Sequence, residues 1–177
     1  MEKEQSTTKS VLIGKRVLAV DDEPDVLMIL KEEIGAAAPG CIVDTAVSYP
    51  EAVALLASWT YDLAIFDIMG VRGFDLLESA VNRPNPIPVV MLTARALAPE
   101  ALKESIRKGA RAYLPKEHLG AVVPFIEDVL TNEYGPVWRR IVKQVEGLFN
   151  EGWGPYWRKL DAEFWTEFER RIDTERK

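Results

Sequence analysis

The residues Leu63-Ala64-Ile65-Phe66-Asp67 run apolar without a break and end on a carboxylate. A short unbroken apolar run reads as a strand buried on both faces, as in a parallel sheet. Ligands of open parallel sheets collect beyond the carboxyl ends of the strands. Asp67 therefore stands where chemistry is done, and an unpaired carboxylate there would be costly to bury. Arg16-Val17-Leu18-Ala19-Val20 ends in Asp21-Asp22-Glu23, and Pro88-Val89-Val90-Met91-Leu92 ends in Thr93-Ala94. Arg111-Ala112-Tyr113-Leu114 ends in Pro115-Lys116. If these strands are parallel, Asp21, Asp22, Asp67, Thr93 and Lys116 converge on one cleft.

That set has a definite chemistry. Three carboxylates repel one another, and a divalent cation relieves the repulsion. Magnesium suits one or two carboxylates, a carbonyl oxygen, water and a phosphate. Lysine and threonine suit phosphoryl oxygens, one as a point charge and one as a hydroxyl donor. A carboxylate can act as nucleophile and become an aspartyl phosphate. The residues point to magnesium-assisted phosphoryl transfer to Asp67. Taken singly, Asp21 and Asp22 fit an acidic loop, Thr93 a turn and Lys116 a solvated charge. Glu23 fits either the acidic pocket or the start of a helix.

Between the strands, apolar residues repeat at helical spacing. Pro24 opens a helix that Gly35 is expected to end. Ser48 and Glu51 make a capping-box pattern before the next helix. A short helix covers 73 to 80, and a proline-rich loop precedes the fourth strand. Pro99 opens a helix that Gly109 closes, and a fifth helix is expected over 119 to 130. Strands alternating with such helices define an α/β, doubly wound domain with right-handed crossovers. Five units fit the flavodoxin-like order 2-1-3-4-5.

Four segments, in order and each at the end of an apolar run, carry a resemblance. They are Val20-Asp21-Asp22-Glu23-Pro24, Phe66-Asp67-Ile68-Met69, Met91-Leu92-Thr93-Ala94 and Gly109 to Lys116. The chain resembles the receiver domains of bacterial two-component response regulators over roughly residues 14 to 131. The resemblance implies that Asp67 is the phosphoacceptor. Asp22 would bind Mg2+ directly, Asp21 mainly through water, and Met69 through its backbone carbonyl. Thr93 and Lys116 would engage the phosphoryl group, and Tyr113 would be an aromatic switch that turns inward as Thr93 moves. The donor would be a histidine kinase or a histidine phosphotransfer protein. The role implied is a signalling switch rather than an enzyme, with self-dephosphorylation only; a phosphorelay intermediate is the alternative. An aspartyl-phosphate phosphatase is disfavoured because position 69, where such enzymes need a second acid, is methionine. Two features depart from the family pattern. The loop from Asp67 to Gly73 is shorter than usual, and Pro115 precedes Lys116 instead of following it.

The rest of the chain sets the context. Residues 1 to 13 are polar at first, without a secretory core, and are expected to be a disordered tail of a cytoplasmic protein. Residues 132 to 177 hold four of the five tryptophans. Val137, Ile141, Val145 and Leu148 form one stripe, with Trp138, Val142 and Phe149 beside it. Trp157, Leu160, Phe164, Phe168 and Ile172 form a second, widened by Trp165. A Gly/Pro turn separates them, so two amphipathic helices are expected. From residue 131 on there are nine basic and nine acidic side chains. DNA-binding domains concentrate positive charge, so no nucleic acid is expected here, and no membrane surface for the same reason. So aromatic a stripe must be covered by the receiver, by a second copy in a homodimer, or by another protein.

Overall fold

The computed structural model describes residues 8–94 and 98–175. Five strands form one parallel sheet in the order β2-β1-β3-β4-β5. They are β1 (Arg16–Val20), β2 (Ile42–Ala46), β3 (Leu63–Asp67), β4 (Val89–Thr93) and β5 (Ala112–Pro115). Every residue of β3 and β4 is buried, which is why those segments read as continuous apolar runs. The helices between them are α1 (Pro24–Ala37), α2 (Tyr49–Ser58), α3 (Gly73–Val81) and α4 (Pro99–Arg107), followed by α5 (Val122–Thr131). The architecture is the flavodoxin-like one expected.

Local chemistry explains most of the boundaries. Ser48 accepts from the Glu51 amide at 3.4 Å, and Glu51 reaches back to the Val47 amide at 3.0 Å. Gly35 does not end α1, which runs on to Ala37; the left-handed glycine is Gly40, at φ +96°. The expected start of the fifth helix is a 3-10 turn over Lys116–Ala121, and α5 proper begins at Val122.

The tail is shorter than expected. Residues 1–7 lie outside the described residues. Leu12 is wholly buried, and the Ser10 hydroxyl bonds Glu127 on α5. The residues before β1 therefore strap the domain. The sequence hid this because Leu12 is a single apolar side chain with no period around it.

Beyond α5 come α6 (Tyr134–Trp153), a 3-10 turn at Trp157–Asp161, and α7 (Ala162–Thr174). The two helices pack as a hairpin over their aromatic stripes. Trp138 meets Phe168 edge-on at 6.2 Å, and Trp157 contacts both Phe149 at 5.0 Å and Trp165 at 5.3 Å. A Cβ at Gly135 would lie 2.8 Å from the Ile172 carbonyl, so glycine lets the helices approach closely. Leu160 leaves the predicted stripe and is 82% exposed, because the 3-10 turn breaks the helical period there.

The hairpin lies on its own receiver. α6 packs against β5 and α5, and Arg140 pairs with Asp128 at 2.7 Å. No described helix is long and apolar enough to cross a membrane.

Candidate functional site

The sheet's carboxyl edge gathers the predicted residues. Asp21 follows β1, Asp67 ends β3, Thr93 ends β4 and Lys116 follows β5. Asp21, Asp67 and Thr93 are buried. Asp21, Asp22 and Asp67 each offer an oxygen, and the three oxygens lie within 4.8 Å of one another.

Lys116 bridges this acidic set. Its Nζ lies 2.8 Å from Asp21 Oδ2, 2.8 Å from Glu23 Oε1 and 3.3 Å from Asp67 Oδ1. The Glu23 amide donates to Asp21 Oδ1 at 2.9 Å. Glu23 thus does both things the sequence allowed: it precedes α1 and it holds Lys116. The order Pro115-Lys116 still brings the ammonium to Asp67.

The electrostatics follow from burial. Asp67 is pushed up to about 6, first by burial and then by the charge on Asp21, against the pull of Lys116. Burial also raises Asp21, with Lys116 opposing it. Lys116 is raised above its ordinary value: burial alone would lower it, but its carboxylate partners outweigh that. The buried Asp21 Oδ2 has the Lys116 ammonium at 2.8 Å as its one partner among the described residues. An under-satisfied buried carboxylate oxygen, beside two more carboxylates, is a donor set that fits a hard divalent cation.

The short loop after Asp67 is built from two glycines. Gly70 has φ +83°, and a Cβ there would overlap the Asp22 carboxylate. A Cβ at Gly73 would overlap the Asp67 backbone carbonyl, so only glycine lets α3 begin against the acceptor strand. The Met69 side chain is 62% exposed.

Thr93 donates to the Ala94 carbonyl at 3.1 Å. Tyr113 is buried, which raises its hydroxyl pKa, while contact with Thr93 pulls the other way. The hairpin contributes to the burial of Tyr113. Val145, Leu148 and Phe149 of α6 close over Thr93, Ala94, Tyr113 and Pro115, leaving a void of about 10 Å³. That is at the lower limit for one water. Sequence reasoning missed these three residues as neighbours of the site; their stripe announced burial but not its target. Arg95, two residues beyond Thr93 and open in the sequence to either a cleft or a surface position, lies outside the described residues.

This sheet, with an acidic pocket and a lysine at its carboxyl edge, has the arrangement of a receiver domain. The model of the response regulator receiver domain matches residues 17–122, and the chain belongs to that family. Among curated proteins, it is 32% identical over 105 residues to the transcriptional regulatory protein TcrA of Mycobacterium tuberculosis. That match covers 58% of this chain and 40% of TcrA. It is 35% identical over 105 residues to the response regulator RppA of Synechocystis, covering 57% of this chain and 44% of RppA. The chain thus spans less than half the length of these relatives. Among solved structures, a Thermotoga maritima response regulator superposes with a TM-score of 0.60 at 19% identity. It covers 68% of this chain and 100% of that one. A putative Chloroflexus aurantiacus response regulator gives 0.59 at 26% identity, covering 67% and 98%.

Proposed function

We propose that this protein is a phosphorylation switch. Asp67 accepts a phosphoryl group from a phosphohistidine of a kinase or phosphotransfer protein, and the output is a changed protein–protein contact. The observation that carries this reading is the carboxylate of Asp67, buried at a strand end between two further carboxylates and 3.3 Å from an ammonium.

In the reaction, an Asp67 carboxylate oxygen attacks phosphorus. The O–P bond forms as the N–P bond to the imidazole breaks, and the imidazole leaves with the bonding pair. Asp21, Asp22, Asp67 and the Met69 backbone carbonyl would hold Mg2+, which supplies neutralisation of the phosphoryl oxygens. Lys116 exchanges its contacts with Asp21 and Glu23 for a phosphoryl oxygen. The Thr93 hydroxyl leaves the Ala94 carbonyl and donates to another. Tyr113 then responds to the space that Thr93 vacates. Asp67 returns to its free form by hydrolysis of its own phosphate, so the module is a switch and turns over no external substrate.

The output resides in residues 132–177, whose balanced charge suits contact with protein and not with nucleic acid. The setting is cytoplasmic. Incubation with a small phosphodonor and Mg2+, followed by intact-mass spectrometry, tests the reading. One phosphoryl adduct, lost in Asp67→Ala and in chelator, supports it. An adduct that survives Asp67→Ala contradicts it.

A further inference from the structure

β5 is an edge strand, yet all four of its residues are buried. The cover is α6. An exposed strand edge offers unpaired backbone groups that recruit another chain, and a covering helix is one way to prevent it. The cover is joined to the domain by only Asn132 and Glu133, both in extended backbone conformation. It also has an aromatic core of its own between α6 and α7, so it can move as one piece.

A charged contact far from the acidic pocket helps fasten it. Asp161 caps α7 through the Phe164 amide at 3.3 Å. The same carboxylate takes Lys103 at 3.0 Å and Arg107 at 3.3 Å, both from α4. Lys103 is 5% exposed, an unusual burial for an ammonium. Arg107 also lies over the Phe164 ring at 4.7 Å. The hairpin therefore spans from α4 to α5, with β5 beneath it.

We infer that this hairpin is an exchangeable cover and that its partner is a second copy of the chain, each hairpin closing the β5 edge of the other. The argument is one of complementarity. Release uncovers a strand edge together with Tyr113 on one side, and Val145, Leu148 and Phe149 on the other. Two released chains hold matching surfaces, including the Lys103–Arg107 pair for Asp161. Exchange restores every contact and changes only the direction of two linker residues that are already extended, and short hinges favour such exchange. The trigger rests on the proposed function: the void beneath Phe149 touches Thr93 and Tyr113, so their movement loosens the cover. The exchange itself does not depend on it.

The test uses the full chain with Cys41→Ser in two populations, one His118→Cys and one Gln144→Cys. These side chains meet at 3.0 Å across the docked interface. Mixed populations treated with a short bismaleimide give a trans-linked product only if α6 of one chain sits on the receiver of another. Asp161→Asn keeps a capping residue while removing the charge. It is expected to raise the trans product several-fold and to move the mass by light scattering toward two chains. Beryllium fluoride with Mg2+ is expected to do the same with Asp161 intact. Amide hydrogen exchange verifies that each variant is folded. A monomeric mass with no trans product in folded Asp161→Asn, at any concentration, overturns the exchange. A rise with Asp161→Asn but none with beryllium fluoride leaves the exchange standing and refutes its control by Asp67.

Discussion

The two edges of the sheet differ in a way that organises the molecule. β2 is open: Ile42 is 51% exposed, and only Ala46 of its five residues is fully buried. β5 is closed along its whole length. The open edge carries the Arg16–Asp44 ion pair at 2.7 Å, with Arg16 stacked on Trp59 at 3.8 Å. Charge keeps it from pairing with other chains. The closed edge is apolar and ends beside Lys116, and protection there comes from a separate element. An edge that needs a removable cover can be exposed on demand, whereas a charged edge cannot.

This contrast can be broken at several points. Ending the chain after Thr131 removes the cover, and the largest effect is expected there. The shortened chain should lose monomeric solubility, seen as higher mass in size-exclusion chromatography with light scattering. Next, Phe149→Ala should destabilise the folded chain by about 3–4 kcal/mol in urea unfolding, since it empties a buried contact over Tyr113. The acidic pocket then sharpens the comparison through pH. Asp67 in the metal-free chain titrates near 6, above its ordinary range, so protons compete with a cation below that value. Mg2+ affinity should be level above about pH 7 and weaken by up to about tenfold per unit below pH 6. Calorimetric titration across pH measures this, and Asp67→Asn should flatten the profile. The smallest effect belongs to the open edge: Ile42→Lys should change stability by less than about 0.5 kcal/mol.

The acidic pocket was legible in the sequence because parallel strands place their ends together. Once Leu63 to Asp67 is a buried strand, topology alone brings Asp21, Thr93 and Lys116 to it. Glu23 was ambiguous because its two roles differ only in side-chain direction. Gly35 misled because a glycine inside a helix costs about 1 kcal/mol and is overridden by packing; Leu30 and Ile34 are fully buried beside it. The hairpin was visible as two stripes, but a stripe carries no address. That Phe149 meets Tyr113, and Asp161 meets Lys103, depends on contacts across 36 and 58 residues of chain that no local pattern encodes. Leu160 shows the same limit at short range, since one 3-10 turn rotates it out to solvent.

The central claim is that the state of Asp67 controls the cover on β5. Amide hydrogen exchange of the full chain, with Mg2+ and with or without beryllium fluoride, measures it directly. The account predicts faster exchange in β5 and along the Val145–Phe149 segment of α6 when beryllium fluoride is bound, at concentrations that keep the chain monomeric. Asp67→Ala should abolish that change. Unchanged protection of both segments, with beryllium fluoride shown by fluorine magnetic resonance to occupy the site, would contradict it.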